Sequence, residues 1–97
     1  MKLQYDLPDL DLMQEISVEG VTEWALTLVG DPGSFPDVTG RIRDGIPKAL
    51  APLLEHMTEG DTLWWCRSTK RGPLYGHEGV ALVRQGGPVI YLLMLNY

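Results

Sequence analysis

Cys66, His56 and His77 are the residues of this chain whose types could carry out covalent chemistry. A thiol nucleophile needs a base within hydrogen-bond reach and a third group that orients the base. Cys66 with His77, or with His56, supplies the first two, and would make a small hydrolase-like enzyme. The competing reading is that a single Cys in a strand, next to Trp64 and Trp65, is a small buried hydrophobe. Metal binding could draw on His56, His77, Cys66 and an acid such as Asp61 or Glu78. No Cys or His pair has the short spacing of a zinc motif, and His77 and Glu78 diverge in an extended segment. The expectation is no metal and no cofactor.

A second chemistry is anion binding. Arg67, Lys70, Arg71, Tyr75 and His77 lie close in sequence around a turn that also carries Gly72, Gly76 and Gly79. Basic groups with an aromatic can hold phosphate or single-stranded nucleic acid. The glycines do not form a phosphate loop, which requires a turn from strand into helix; here a strand follows. A third possibility is contact with another protein. It would use the acids Glu15, Glu19 and Glu23 and the pair Trp64–Trp65, because a partly exposed Trp is a frequent interface anchor.

Charge separates these options. The 97 residues carry a net charge of -5. Residues 1–37 hold one base, Lys2, against eight acids, a net of -7. Residues 38–97 hold seven bases against five acids, a net of +2. An acidic surface repels the phosphate backbone and steers basic partners, so nucleic acid is the weaker fit. Composition narrows the class further. Hydrophobic residues are 44% and charged residues 22%, which is ordinary for a folded globular domain. One cysteine cannot form an intrachain disulfide. The longest apolar run, Val89 to Leu95, is far short of the roughly twenty residues a membrane helix needs. The N-terminal residues do not read as a signal peptide. The expectation is one soluble, cytoplasmic domain, with residues 1–11 as an extended lead-in containing Pro8.

The elements that must position these residues follow from periodicity. Leu12 to Val18 and Val21 to Val29 alternate across Glu19-Gly20 and predict a β-hairpin. Gly30 to Pro36 is a loop by composition. Ile42, Ile46, Ala49, Leu50, Leu53 and Met57 form one apolar stripe at helical spacing. Asp37 or Thr39 is a possible cap at its start and Gly60 at its end. Pro47 and Pro52 interrupt that stripe, at about 3 kcal/mol for an interior proline. They predict a short turn near 38–44 followed by a main helix with Pro47 in its first turn. Thr62 to Thr69, Gly79 to Gln85 and Pro88 to Asn96 read as strands, with Gly86-Gly87 as a hairpin turn. The order β-β-α-β-β-β predicts an α+β fold: an antiparallel sheet of about five strands with one main helix on one face. The run Val89 to Leu95 is apolar on both sides, so the second face needs a cover from the lead-in, a homodimer or a partner. Trp64 and Trp65 point to opposite faces, one into the core beside the helix.

The C-terminal third also resembles a set of small, uncharacterised bacterial and phage-type proteins. Their pattern is Gly-Asp-x-Leu-Trp, a short loop, Gly-x-x-Gly-x-Ala-Leu-Val-Arg-x-Gly, and an apolar strand ending in Asn. This chain carries Gly60-Asp61-Thr62-Leu63-Trp64, Gly76 to Gly86, and Leu95-Asn96. It departs from the pattern at Gly87-Pro88 and Tyr97. The resemblance implies the strand assignments and an intracellular bacterial or phage setting, and no activity. The sequence reading is a non-catalytic small acidic protein acting by protein–protein contact, such as an immunity-type or counter-defence inhibitor. Its alternatives are phosphate or nucleic-acid binding through residues 67–77 and an enzyme built on Cys66 and His77.

Overall fold

The computed structural model describes residues 3–7, 9–30 and 32–96. Pro8 of the expected lead-in and Asp31 of the expected loop lie outside the described residues, as do Met1, Lys2 and Tyr97. The fold is α+β. Its elements run β1 (Leu3–Gln4), β2 (Leu10–Glu15), α1 (Val18–Thr27), α2 (Pro36–Leu54), β3 (Thr62–Ser68), β4 (His77–Arg84) and β5 (Gly87–Asn96). The five strands form one antiparallel sheet in the order β1-β5-β4-β3-β2.

The second half matches the sequence reading within a residue or two at each strand end. The β4–β5 turn is one residue earlier than expected. Arg84 pairs with Gly87, so Gln85 and Gly86 are the two loop residues. Both have positive φ, 54° and 81°, as a type I′ hairpin turn requires.

The first half differs. Val21 to Val29 is not the second strand of a hairpin; it lies almost wholly in α1. Nine residues with apolar positions 21, 24, 25, 26 and 28 satisfy both periods. Capping decides between them. Ser17 is extended, and its side chain accepts the Gly20 N–H at 3.0 Å, satisfying an orphan donor of the first turn. Gly20, expected in a tight turn, sits inside that helix. The sheet still has five strands: β1 lies in the expected lead-in, and β2 overlaps the strand expected over Leu12 to Val18, starting two residues earlier and ending three earlier.

The main helix is also longer than expected. It runs unbroken from Pro36 to Leu54 with both Pro47 and Pro52 inside. Each removes one N–H from the ladder, and both prolines are on the exposed side. The carbonyls they orphan, at Arg43 and Lys48, belong to exposed residues that water reaches. Ile46, Leu50 and Leu53 are buried on the opposite side and anchor the helix. Pro36 occupies the first turn, and Phe35 rather than Asp37 or Thr39 is the cap residue. The helix ends at Leu54, before Gly60.

Both helices lie on one face. Val21, Ala25, Ile46, Leu50 and Leu53 pack there on Leu63, Trp65, Val80, Leu82, Ile90 and Leu92. The second face has its own cluster of Cys66, Ala81 and Tyr91, with Leu7, Leu10, Leu12, Trp64 and Leu93 against it. Topology explains its cover. β1 and β2 are at opposite ends of the sheet, four strand spacings or about 19 Å apart. The six steps from Gln4 to Leu10 reach about 20 Å when extended. The connection must therefore cross the sheet nearly taut, and Leu7 shows that it crosses the face opposite the helices. No helix among the described residues is long and apolar enough to cross a membrane.

Candidate partner-binding edge

β2 is the last strand of the sheet, so one of its backbone edges faces no strand among the described residues. Its ladder to β3 begins with the Thr69 N–H donating to the Asp9 carbonyl at 3.0 Å, and beyond Glu15 the Ile16 N–H donates to Leu63 at 2.9 Å. Alternation from those two bonds turns the backbone groups of Leu10, Leu12 and Glu15 away from β3. The register slips between Leu12 and Gln14, placing a bulge at Met13, which is 46% exposed.

Hollows flank this strand on both faces. On the strap side, Leu12, Glu15, Thr62, Trp64 and Val83 line one of about 260 Å³. Glu15 stands opposite Trp64 in the pairing, and the Trp64 indole N–H donates to Thr62 Oγ1 at 3.1 Å, which fixes the ring. On the helix side, Gln14, Ile16, Trp24, Trp65, Arg67 and Glu78 border one of about 350 Å³. Trp24 of α1 packs on Trp65 with ring centroids 4.3 Å apart and the ring planes tilted by 46°. Glu78 is buried, and Arg67 faces it with Nε at 3.3 Å from a carboxylate oxygen. That Nε is itself buried and makes no well-aligned hydrogen bond.

The two tryptophans thus divide as the strand alternation requires. Trp65 fills the core beside a helix and is 8% exposed, so it is not a free contact. Trp64 is half-buried on the opposite face. The three acids divide as well. Glu15 is on the β2 edge, whereas Glu19 and Glu23 border a hollow between the helices, where α2 contributes Arg43 and Pro47. From Leu3 to Gly40 the chain contains no Lys, Arg or His. Within this segment β2 and α1 lie side by side, α1 packing over β3, whereas β1 pairs with β5 at the far edge of the sheet.

The basic cluster does not come together as a site. Arg67 is on the helix face with Glu78. Arg71 donates to Asp11 at 2.9 Å and to the Ser68 carbonyl at 3.0 Å. Lys70 and His77 border a hollow of about 320 Å³ that Asp9 also lines. Tyr75 is 60% exposed, at a turn closed by the Gly72 N–H donating to its own carbonyl at 2.9 Å.

The thiol and imidazole are likewise engaged elsewhere. Cys66 is fully buried and its Sγ–H donates to the Trp64 carbonyl at 3.4 Å. Burial pushes the thiol up to about 11, the reverse of what a nucleophile needs. His77 Nδ1 shares a hydrogen bond of 2.9 Å with the buried Tyr91 hydroxyl. His56 lies against Tyr5, Nε2 to hydroxyl at 3.2 Å. Among the described residues, no group of His, Cys, Asp or Glu side chains could hold a metal ion.

Asp61, a weak metal candidate by sequence, has a structural role. Arg84 donates to both its oxygens, at 3.0 and 2.7 Å, and Thr58 N–H donates at 2.8 Å. The guanidinium, followed by the Thr58 amide, holds its carboxyl well below the usual carboxylate range. The pair ties the loop before β3 to the end of β4. Searches of family models, of curated proteins and of solved structures find no match to this chain. What sequence reasoning missed is the β2 edge itself. Its signal was the alternating run from Leu12, which predicts a strand there but not that the strand is last in the sheet.

Proposed function

We propose that this chain is a non-catalytic, cytoplasmic protein that acts by contact with a basic partner protein, as an immunity-type or counter-defence inhibitor does. One observation carries this reading: β2 and α1, neither of which contains a Lys, Arg or His, lie side by side, and Glu15 and a half-buried Trp64 stand opposite one another at an open sheet edge. Acids there steer a basic partner and set register, and a fixed indole supplies contact area at little entropic cost. Neither alternative has comparable support. Two of the three arginine or lysine side chains in the 67–77 loop are in ion pairs, and the Cys66 thiol is buried with its hydrogen bond on a carbonyl.

The test is affinity capture with the wild-type chain and with the triple variant Glu15→Lys, Glu19→Lys, Glu23→Lys, with circular dichroism on both. The expected result is a protein retained by the wild type and lost by a variant of unchanged fold. Equal capture by the two proteins would overturn the acidic-contact reading.

A further inference from the structure

We propose that the open edge of β2 takes up an extended, basic segment of a partner protein as a sixth strand of the sheet. This rests on the acidic-contact reading and says how that contact is made. Strand addition needs a free edge for main-chain hydrogen bonds and places on alternate faces for successive side chains. β2 has both. The backbone groups of Leu10, Leu12 and Glu15 turn outward, and hollows lie beside the strand above and below the sheet. Successive residues of an added strand point to opposite faces. One would enter beside Trp64 and Glu15, and the next beside Gln14, Ile16 and Trp24.

The chemistry selects the occupant. The first hollow offers a carboxylate and an indole face, which together suit Lys or Arg. The second sets Ile16 and Trp24 beside Gln14 and the Arg67–Glu78 ion pair; with those two charges facing each other, its apolar walls suit an apolar side chain. Of the acids along this edge, Asp11 is held by Arg71 and Asp9 shares its hollow with Lys70, so Glu15 is the carboxylate that an incoming base would meet. A second copy of this chain, adding its own β2, would bring no base to Glu15, because Leu10–Glu15 contains no Lys, Arg or His. The bulge at Met13 works in the same direction. It breaks the flat edge that unrelated strands could extend, so an incoming segment must match it.

The experiment titrates the isotope-labelled full chain with a synthetic peptide of alternating lysine and valine, about eight residues long to exceed β2. A glutamate–valine peptide is the control. Readouts are amide shifts and amide hydrogen exchange. With the lysine peptide, exchange at Leu10, Leu12 and Glu15 should slow by about tenfold or more, and the Trp64 and Trp24 indole signals should move. Glu15→Lys, at an exposed position, should weaken binding by about fivefold or more while leaving core signals in place. Glu15→Pro removes an outward N–H without touching the β3 ladder, and should abolish the protection. Strand addition is overturned if the lysine peptide leaves the edge amides unprotected, if the glutamate peptide binds equally, or if those amides become protected simply as protein concentration rises. Loss of a captured partner in the triple lysine variant, with the edge still unprotected by the peptide, would reject strand addition and leave the acidic contact standing. Equal capture would remove both.

Discussion

Trp64 and Trp65 are consecutive residues of one strand with opposite surroundings. Trp65 is sealed between α1 and the sheet, packed on Trp24. Trp64 lies on the face opposite the helices, where Leu7, Leu10 and Leu12 pack, and it borders a hollow. The helix-covered face is thick and built from two long elements. The other face relies on Leu7, Leu10 and Leu12, all partly buried. The comparison teaches that a chain of 97 residues has helix enough to cover one face, and that the thinly covered face and its acidic edge are where contact surface remains.

The largest effect should come from testing the two tryptophans against each other. Trp65→Ala should cost about 3–5 kcal/mol, as truncation of a large core aromatic does. Trp64→Ala should cost about 1 kcal/mol. Urea unfolding curves compare them directly, and equal losses would break the distinction between the faces. Gly79→Ala comes next. A Cβ there would collide with the Leu92 carbonyl oxygen, a backbone atom that cannot swing aside. The β4–β5 pairing must shift, at about 3 kcal/mol, and a thermal melt at wild-type temperature would show that the approach is looser.

Tyr91→Phe is smaller. It removes a buried hydroxyl from His77 Nδ1 and should destabilise by about 1 kcal/mol. Urea unfolding checks it; a variant as stable as the wild type would mean that the bond contributes nothing to the fold. The mildest effect is that of the Cys66 thiol. Its value of about 11 in the fold stands above the ordinary 9.0, so the folded state keeps its proton longer than the unfolded one. That contribution is complete below about pH 9 and is lost as pH rises towards 11. Stability should therefore fall across that alkaline window in the wild type more than in Cys66→Ala. A thiol reagent at neutral pH should label only denatured protein; rapid labelling of the native chain would place the thiol at the surface.

The C-terminal half was legible because each strand there is bounded by a glycine or proline signal and is too apolar to be anything but buried. The α+β class and the five-strand antiparallel sheet followed from that. The region 18–27 was not legible from periodicity, since Trp24, Leu26 and Leu28 alternate while Val21, Trp24, Ala25 and Leu28 follow a helix. A single hydrogen bond at Ser17 separates the two readings. α2 was underestimated because a proline penalty is local, whereas Ile46, Leu50 and Leu53 anchor the helix across both prolines. The site residues were individually visible, yet their grouping was not. Sequence proximity placed Arg67 with Lys70 and Arg71, while in the fold Arg67 is paired with Glu78 and Arg71 with Asp11. The β2 edge needed the strand order, which nothing in a lead-in containing Pro8 announces.

The central claim is that β2 offers a free, acidic edge. Amide hydrogen exchange on the isolated protein, at low and high concentration, tests it most directly. The account predicts that Leu10, Leu12 and Glu15 exchange at rates near those of an open chain while Val80 and Leu82 in β4 are protected to the level of global unfolding. Protection of the three edge amides equal to that of β4 would mean that the edge is already occupied, and would contradict the account.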